Sequence, residues 1–357
     1  MGRVITVAAV MAVLVGGWLF ARGEVPCEVL AAQPSCEVAV LPGPSQDTLE
    51  LVTIGGAEAY PSDGQLRLTT IAVQDDLDLR SWFRARTSGT VDVVPRETIY
   101  PPGSDRDEVA ETNALMMADS QLMATIAGLT ASGYTLTSEG ALVAGIAEDA
   151  VTDDLEAGDV IVGVDGEVVR DSRDVVDTVR ASDPGETLTF AVDNDGASRE
   201  VAVTLGTSAD EPPVPYVGVL LTTQMDLPIE VTIDAGVIGG PSAGLLFALS
   251  IVELLGPEDL TDGRIIAGTG TVDRDGEVGP VGGIRQKVAG ATTPSSGEDP
   301  AAVFLVPRGN LAEARRAAVD REVLLVPVDT LDDALAALEA LRSGRDPRDA
   351  VVLAAGR

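Results

Sequence analysis

At 357 residues and a net charge of −33, from 24 Lys+Arg against 57 Asp+Glu, the chain is long enough for two or three domains. It is too acidic to bind nucleic acid or an anionic membrane surface, both of which need basic patches. It has no histidine and a single lysine, Lys287, so 23 of the basic residues are arginine; this excludes every Ser-His-Asp, Cys-His or HExxH mechanism and leaves a carboxylate or Lys287 to activate any nucleophile.

Residues 4–20, VITVAAVMAVLVGGWLF, form an uncharged apolar run of 17. This predicts an uncleaved membrane anchor within 1–22, with the C-terminal bulk outside the cell; a cleaved signal peptide is the alternative, and either way the body is exported. Cys27 and Cys36 follow, the only cysteines, and in an oxidising compartment they read as one local disulfide. Two cysteines without histidine provide no metal site, and nothing in the chain calls for a cofactor.

Residues 37–131 read as a small mixed β/α domain. LELVTI (49–54) and LRLTTIAV (66–73) have strand patterns, and 105–131 a helical one with a core-facing stripe of Met and Leu. Residues 133–206 change rhythm. ALVAGIAEDA is a strand, LEAGDVIVGVDGEVV turns at Asp165-Gly166, SRDVVDTVRA is a short helix, and two further strands meet at Asp195-Gly196. The acidic turns DNDG (193–196) and DRDG (273–276) lack calcium-loop spacing and read as hairpins.

This order of elements resembles a PDZ domain. The resemblance implies a β domain that adds an extended peptide to a sheet edge and captures peptide termini, with its carboxylate-binding loop near Gly133–Gly140. Residues 207–216, TSADEPPVPY, read as a linker. From 217 to 341 strands and helices alternate, an α/β domain, and 342–357 form a loose tail. The fold class is thus multidomain α+β.

Two segments of the last domain concern chemistry. In DAGVIGGPSAG, Pro241 suits a first helical turn and an apolar helix follows, which places Ser242 at a helix N-terminus. Unpaired amides there favour developing negative charge, as a nucleophile requires; a plain N-cap is the other reading of this serine. In GTGTVDRDGEVGPVGGIRQKVAGA, Lys287 shares a helix face with Gly283, Ile284, Gly290 and Ala291. Uncharged neighbours of this kind desolvate the amine and lower its pKa toward the range of a general base, whereas a snorkelling surface lysine would not need them.

GGPSAG followed by GTGTVDRDGEVGPVGGIRQK resembles the proteolytic domain of Lon-type serine proteases, in particular exported or membrane-anchored bacterial proteins with a PDZ domain ahead of it. The resemblance implies Ser242 as nucleophile, Lys287 as its general base and Thr269 as the threonine that hydrogen-bonds and orients the lysine. It implies flexible or unfolded polypeptides as substrates and allows a homo-oligomer, since such domains commonly form rings. Two departures stand out. Gly239 occupies the position where ATP-dependent Lon proteins have an acidic residue, and no P-loop exists, because the one lysine is already placed in GGIRQK. An ATP-independent endopeptidase at the exterior face of the membrane is the expectation; a non-catalytic PDZ scaffold with an inactive Lon-like domain, or a chain that only cuts itself near 207–216, are the alternatives.

Overall fold

The computed structural model describes residues 35–101, 103–104, 106–147, 149–194, 196–208, 213–293 and 299–354. Residues 4–20 and Cys27 lie outside this set. Among the described residues no helix is long and apolar enough to cross a membrane. Cys36 is disulfide-bonded.

The chain divides into two compact units, and the division is not sequential: Gly133–Glu230 forms one unit, inserted into another made by the residues before and after it. The outer unit begins with β1 (Glu37–Asp47), β2 (Val52–Gly55), β3 (Gln65–Gln74), α1 (Leu79–Thr87), β4 (Asp92–Pro95) and the long α2 (Arg106–Ala131). On α2, Met117, Met123, Ile126 and Leu129 are buried, while Leu115 and Met116 are exposed.

The inserted unit contains β5 (Thr137–Ile146), β6 (Val160–Val164), β7 (Glu167–Val168), α3 (Ser172–Ala181), β8 (Thr187–Asn194), β9 (Ala197–Thr204), β10 (Gly206–Thr207), β11 (Pro215–Tyr216) and β12 (Val219–Asp226). Its sheet runs β12-β5-β6-β8-β9, with β7 paired to β6, over a core that includes Val143, Ile161, Phe190 and Val203. Asp165 (φ 49°) and Gly166 (φ 85°) both adopt positive φ at the β6–β7 turn, the conformation that twists a two-residue hairpin correctly.

The outer unit resumes with β13 (Glu230–Ile233), α4 (Gly244–Leu255), β14 (Ile265–Gly268), β15 (Thr271–Val272), β16 (Val278–Gly279), α5 (Ile284–Thr292), β17 (Val303–Pro307), α6 (Leu311–Ala317), β18 (Leu324–Val328), α7 (Leu331–Arg342) and α8 (Pro347–Ala354). Its six-stranded sheet has the order β18-β17-β14-β3-β1-β4. The β18-β17-β14-β3 portion is parallel, and β1 runs antiparallel to both of its neighbours. All five residues of β17 are buried, as expected of an apolar run inside a parallel sheet. Helix α4, GLLFALSIVELL, has no polar face because it is enclosed: Leu245 to Leu249 and Ile251 are at 0% exposure.

Three expected boundaries change. Residues 37–131 are not a separate domain, because Gln65–Leu68 of β3 pair in parallel with Ile265–Gly268 of β14 in one sheet. Residues 207–216 do not link two domains: Gly206 and Thr207 pair with Tyr216 and Pro215, and β12 beyond them pairs with β5 from Val219↔Ile146 to Asp226↔Thr137. The break therefore falls near 230 rather than at 217. The expected loose tail contains α8, with Asp346 accepting from the Arg348 amide (2.9 Å), Pro347 at the first position and Val351 buried.

The completed β12–β5 ladder yields a test. A fragment spanning 133–230 should unfold cooperatively in urea with dispersed amide resonances, whereas 133–206, which lacks β12 and the buried Val217, should give the spectrum of an unfolded chain.

Candidate active site

Ser242 lies in a tight turn two residues before α4, and the N-cap position belongs to Ala243, so Ser242 is not the cap of this helix. The turn is fixed by its backbone. The Gly240 amide donates to the Asn113 carbonyl (2.8 Å), and the Ser120 hydroxyl donates to the Pro241 carbonyl (3.0 Å). The Ser242 carbonyl accepts two hydrogen bonds, from the Gly270 amide and the Thr269 hydroxyl, both at 2.9 Å. Among the described residues the amides of Ser242 and Ala243 donate to no acceptor, and both precede the positive end of α4.

Two glycines are dictated by close packing. A Cβ on Gly244 would stand 2.9 Å from the Ser120 hydroxyl and 3.0 Å from the Val272 amide nitrogen. A Cβ on Gly239 would stand 2.9 Å from the Asn113 Cβ. In this chain an acidic side chain at 239 would therefore collide with α2.

Lys287 sits in the first turn of α5, its amide bonded to the Gly283 carbonyl (3.0 Å). The side chain is 3% exposed. Its Nζ donates to the Ser242 hydroxyl at 2.7 Å and to the Thr69 carbonyl at 2.8 Å. Thr69, itself buried in β3, donates its own hydroxyl to the Gly268 carbonyl (3.1 Å). Among the described residues no carboxylate forms an ion pair with Lys287, although the chain has 57 of them. Burial lowers the amine from its ordinary 10.5 to about 8, since two neutral oxygens replace only part of an ammonium ion's hydration.

The structure thus brings Ser242 and Lys287 into direct contact. The expected role of Thr269 as the partner of the lysine is corrected: its hydroxyl is spent on the Ser242 carbonyl, and the Thr69 carbonyl holds the amine. Thr69 left no trace in the sequence pattern, because any residue has a carbonyl. Ser120 and Asn113 are polar residues of the Met-rich α2, and both meet the Ser242 turn. In the inserted unit, Gly140 lies within β5 rather than in a loop, with φ 120°. The sheet ends at β12 on one side and β9 on the other, and Leu220 of β12 is 58% exposed.

Residues 121–205 match the PDZ domain, and residues 220–339 match the Lon protease (S16) C-terminal proteolytic domain. A PDZ domain and a Lon-type proteolytic domain are both present. Lon protease 2 of Herpetosiphon aurantiacus is 33% identical over 98 residues, 27% of this chain and 11% of that protein. Lon protease of Chloroflexus aurantiacus is 33% identical over 111 residues, 30% of this chain and 13% of that protein. The matches therefore span only about a tenth of the length of these relatives. Among solved structures, the PDZ domain of an SdrC-like protein from Listeria innocua is 26% identical, covering 23% of this chain and 93% of that one, with a TM-score of 0.22. Its counterpart from Listeria monocytogenes is 24% identical, covering 25% and 93%, with a TM-score of 0.23. Strands β1, β3 and β4 of the outer sheet precede the span matched to the proteolytic domain.

A buried amine has a stability consequence of definite sign. Between pH 8 and 10.5 the unfolded chain holds a proton that the folded chain lacks, so stability rises with pH across that window. Below pH 8 the fold carries the full cost of the buried cation, about 3 kcal/mol. Lys287→Met removes that cost and takes one donor from the Thr69 carbonyl, which costs about 1–3 kcal/mol and at the middle of that range less than is regained. The variant should therefore be more stable than wild type at pH 7 in urea unfolding, and the advantage should disappear by about pH 10. A variant less stable at pH 7 would contradict this account of the amine.

Proposed function

We propose that this protein is a serine endopeptidase that works without ATP, with Ser242 as nucleophile and Lys287 as general base. The observation that carries the reading is the 2.7 Å contact between Lys287 Nζ and Ser242 Oγ, made by an amine that burial holds near pKa 8. At pH 8 about half of the molecules have the lysine neutral. Its lone pair then accepts the Ser242 proton as Oγ attacks a peptide carbonyl, and the resulting ammonium donates a proton to the departing amine. Water, deprotonated by the same lysine, hydrolyses the acyl-enzyme.

The surroundings support this division of labour. The Thr69 carbonyl anchors the amine without adding negative charge, so the pKa is not driven back up as a carboxylate would drive it. Thr269 acts as a positioning residue, fixing the Ser242 backbone through its carbonyl. The amides of Ser242 and Ala243, without an acceptor among the described residues, are the donors suited to the oxyanion of the tetrahedral intermediate.

Substrates would be flexible polypeptides, since the P-loop sequence is absent from the chain. The PDZ domain would present or gate them by adding a peptide strand to β12 at its open edge. The apolar run 4–20 supports a location at the exterior face of the cell membrane.

Casein or a peptide library should be cut by wild type and not by Ser242→Ala or Lys287→Met. Lys287→Arg should also be inactive, because a guanidinium keeps its proton. Turnover should climb with pH through an apparent pKa of about 8 and then level off, as the neutral amine accumulates. Labelling of Ser242 by a serine-directed probe separates this reading from a scaffold that only binds peptides. Proteolysis that survives Ser242→Ala would remove it altogether.

A further inference from the structure

A cavity of about 430 Å³ opens between α5, α6 and the turn that precedes β4. Its walls carry Arg285 from α5, Glu313 and Arg316 from α6, Arg321 just beyond α6, and Thr90. Three arginines and one carboxylate line it, a local surplus of positive charge in a chain whose net charge is −33.

The ionic partners of the three arginines differ. Arg285 pairs with Asp92 (2.7 Å), outside the cavity wall. Among the described residues Arg321 donates to neutral oxygens, the Ala317 carbonyl and the hydroxyls of Thr292 and Thr293. Arg316 makes no salt bridge or hydrogen bond among the described residues, although Glu313 stands one turn before it on α6. With more than two carboxylates in the chain for every base, two guanidinium groups on one cavity wall that pair with none among the described residues are poorly compensated.

The geometry points to a binding site for a compact phosphate-bearing anion in this cavity. A planar carboxylate is satisfied by a single guanidinium fork, in two parallel hydrogen bonds. A terminal phosphate presents three oxygens in different directions, which suits forks arriving from α5, α6 and the residue beyond it. Arg316 is the free fork and Arg321 is held in place by Thr292 and Thr293. Arg285 can exchange Asp92 for the ligand. Asp92 would remain bound to the Gln286 side chain (2.9 Å), so the first turn of α5 stays attached to β4.

Calorimetric titration of the full-length protein in neutral detergent tests this without reference to proteolysis. Pyrophosphate, a nucleoside diphosphate and citrate are added at constant ionic strength to wild type and to Arg316→Glu. Pyrophosphate should bind wild type at submillimolar concentration, and Arg316→Glu should bind it at least tenfold more weakly. Citrate should also bind wild type at least tenfold more weakly. Equal affinity for pyrophosphate and the nucleotide would identify the phosphate groups as all that is recognised, while tighter nucleotide binding would give the remaining volume to the nucleoside. Absence of pyrophosphate binding, equal binding by Arg316→Glu, or citrate binding as tight as pyrophosphate would each overturn the site. Far-UV circular dichroism of the variant shows whether it remains folded.

Discussion

One ammonium-bearing side chain, buried to 3% exposure and held by two uncharged oxygens, is the constraint around which the outer unit is organised. A cation in that position is unfavourable, and the fold must hold it without ionic compensation. The packing achieves this by approaching from several sides. Helix α5 lies against β1 closely enough that a Cβ on Gly290 would sit 3.0 Å from the Gly43 carbonyl. The buried α4, whose only polar side chains are Ser250 and Glu253, carries the Ser242 turn at its N-terminal end. Strong acidity elsewhere on the surface makes the exclusion of carboxylates from this spot a specific property of the fold.

The second organising fact is that the outer unit is assembled from chain segments on both sides of an inserted domain. Thr69 and the residues of α2 that brace the Ser242 turn come from before the insertion, whereas Ser242, Thr269 and Lys287 come from after it. The site is therefore a property of the complete outer unit. The segment matched to the proteolytic domain, 220–339, does not contain the carbonyl that holds the amine.

Much of this organisation was legible in the residues and some was not. The single lysine, the glycine-rich turn before an apolar helix and the two short segments that contain Ser242 and Lys287 are local patterns, and local patterns survive without a structure. The Asp165-Gly166 hairpin was readable for the same reason, because its backbone demands those residue types. What escaped reading was long-range pairing. Nothing in LRLTTIAV announces a parallel partner near residue 266, and nothing in VLLTTQMD announces that it closes the sheet begun at Thr137. The proline-rich stretch 207–216 has the composition of a linker, yet its ends pair as a short ladder. The role expected of Thr269 failed on a subtler point: its hydroxyl lies close to the site but is directed at a carbonyl rather than at the amine.

The separation of 218 residues between Thr69 and Lys287 also sets a clock. At ordinary rates of synthesis, roughly 5–20 residues per second, the carbonyl is made roughly 10 to 40 s before the amine it will grip. Within that interval the whole inserted unit, Gly133–Glu230, is made while the pocket is still incomplete. A chain with this layout lacks the amine for most of its synthesis, and the contact between that amine and the Ser242 hydroxyl can form only with the last fifth of translation.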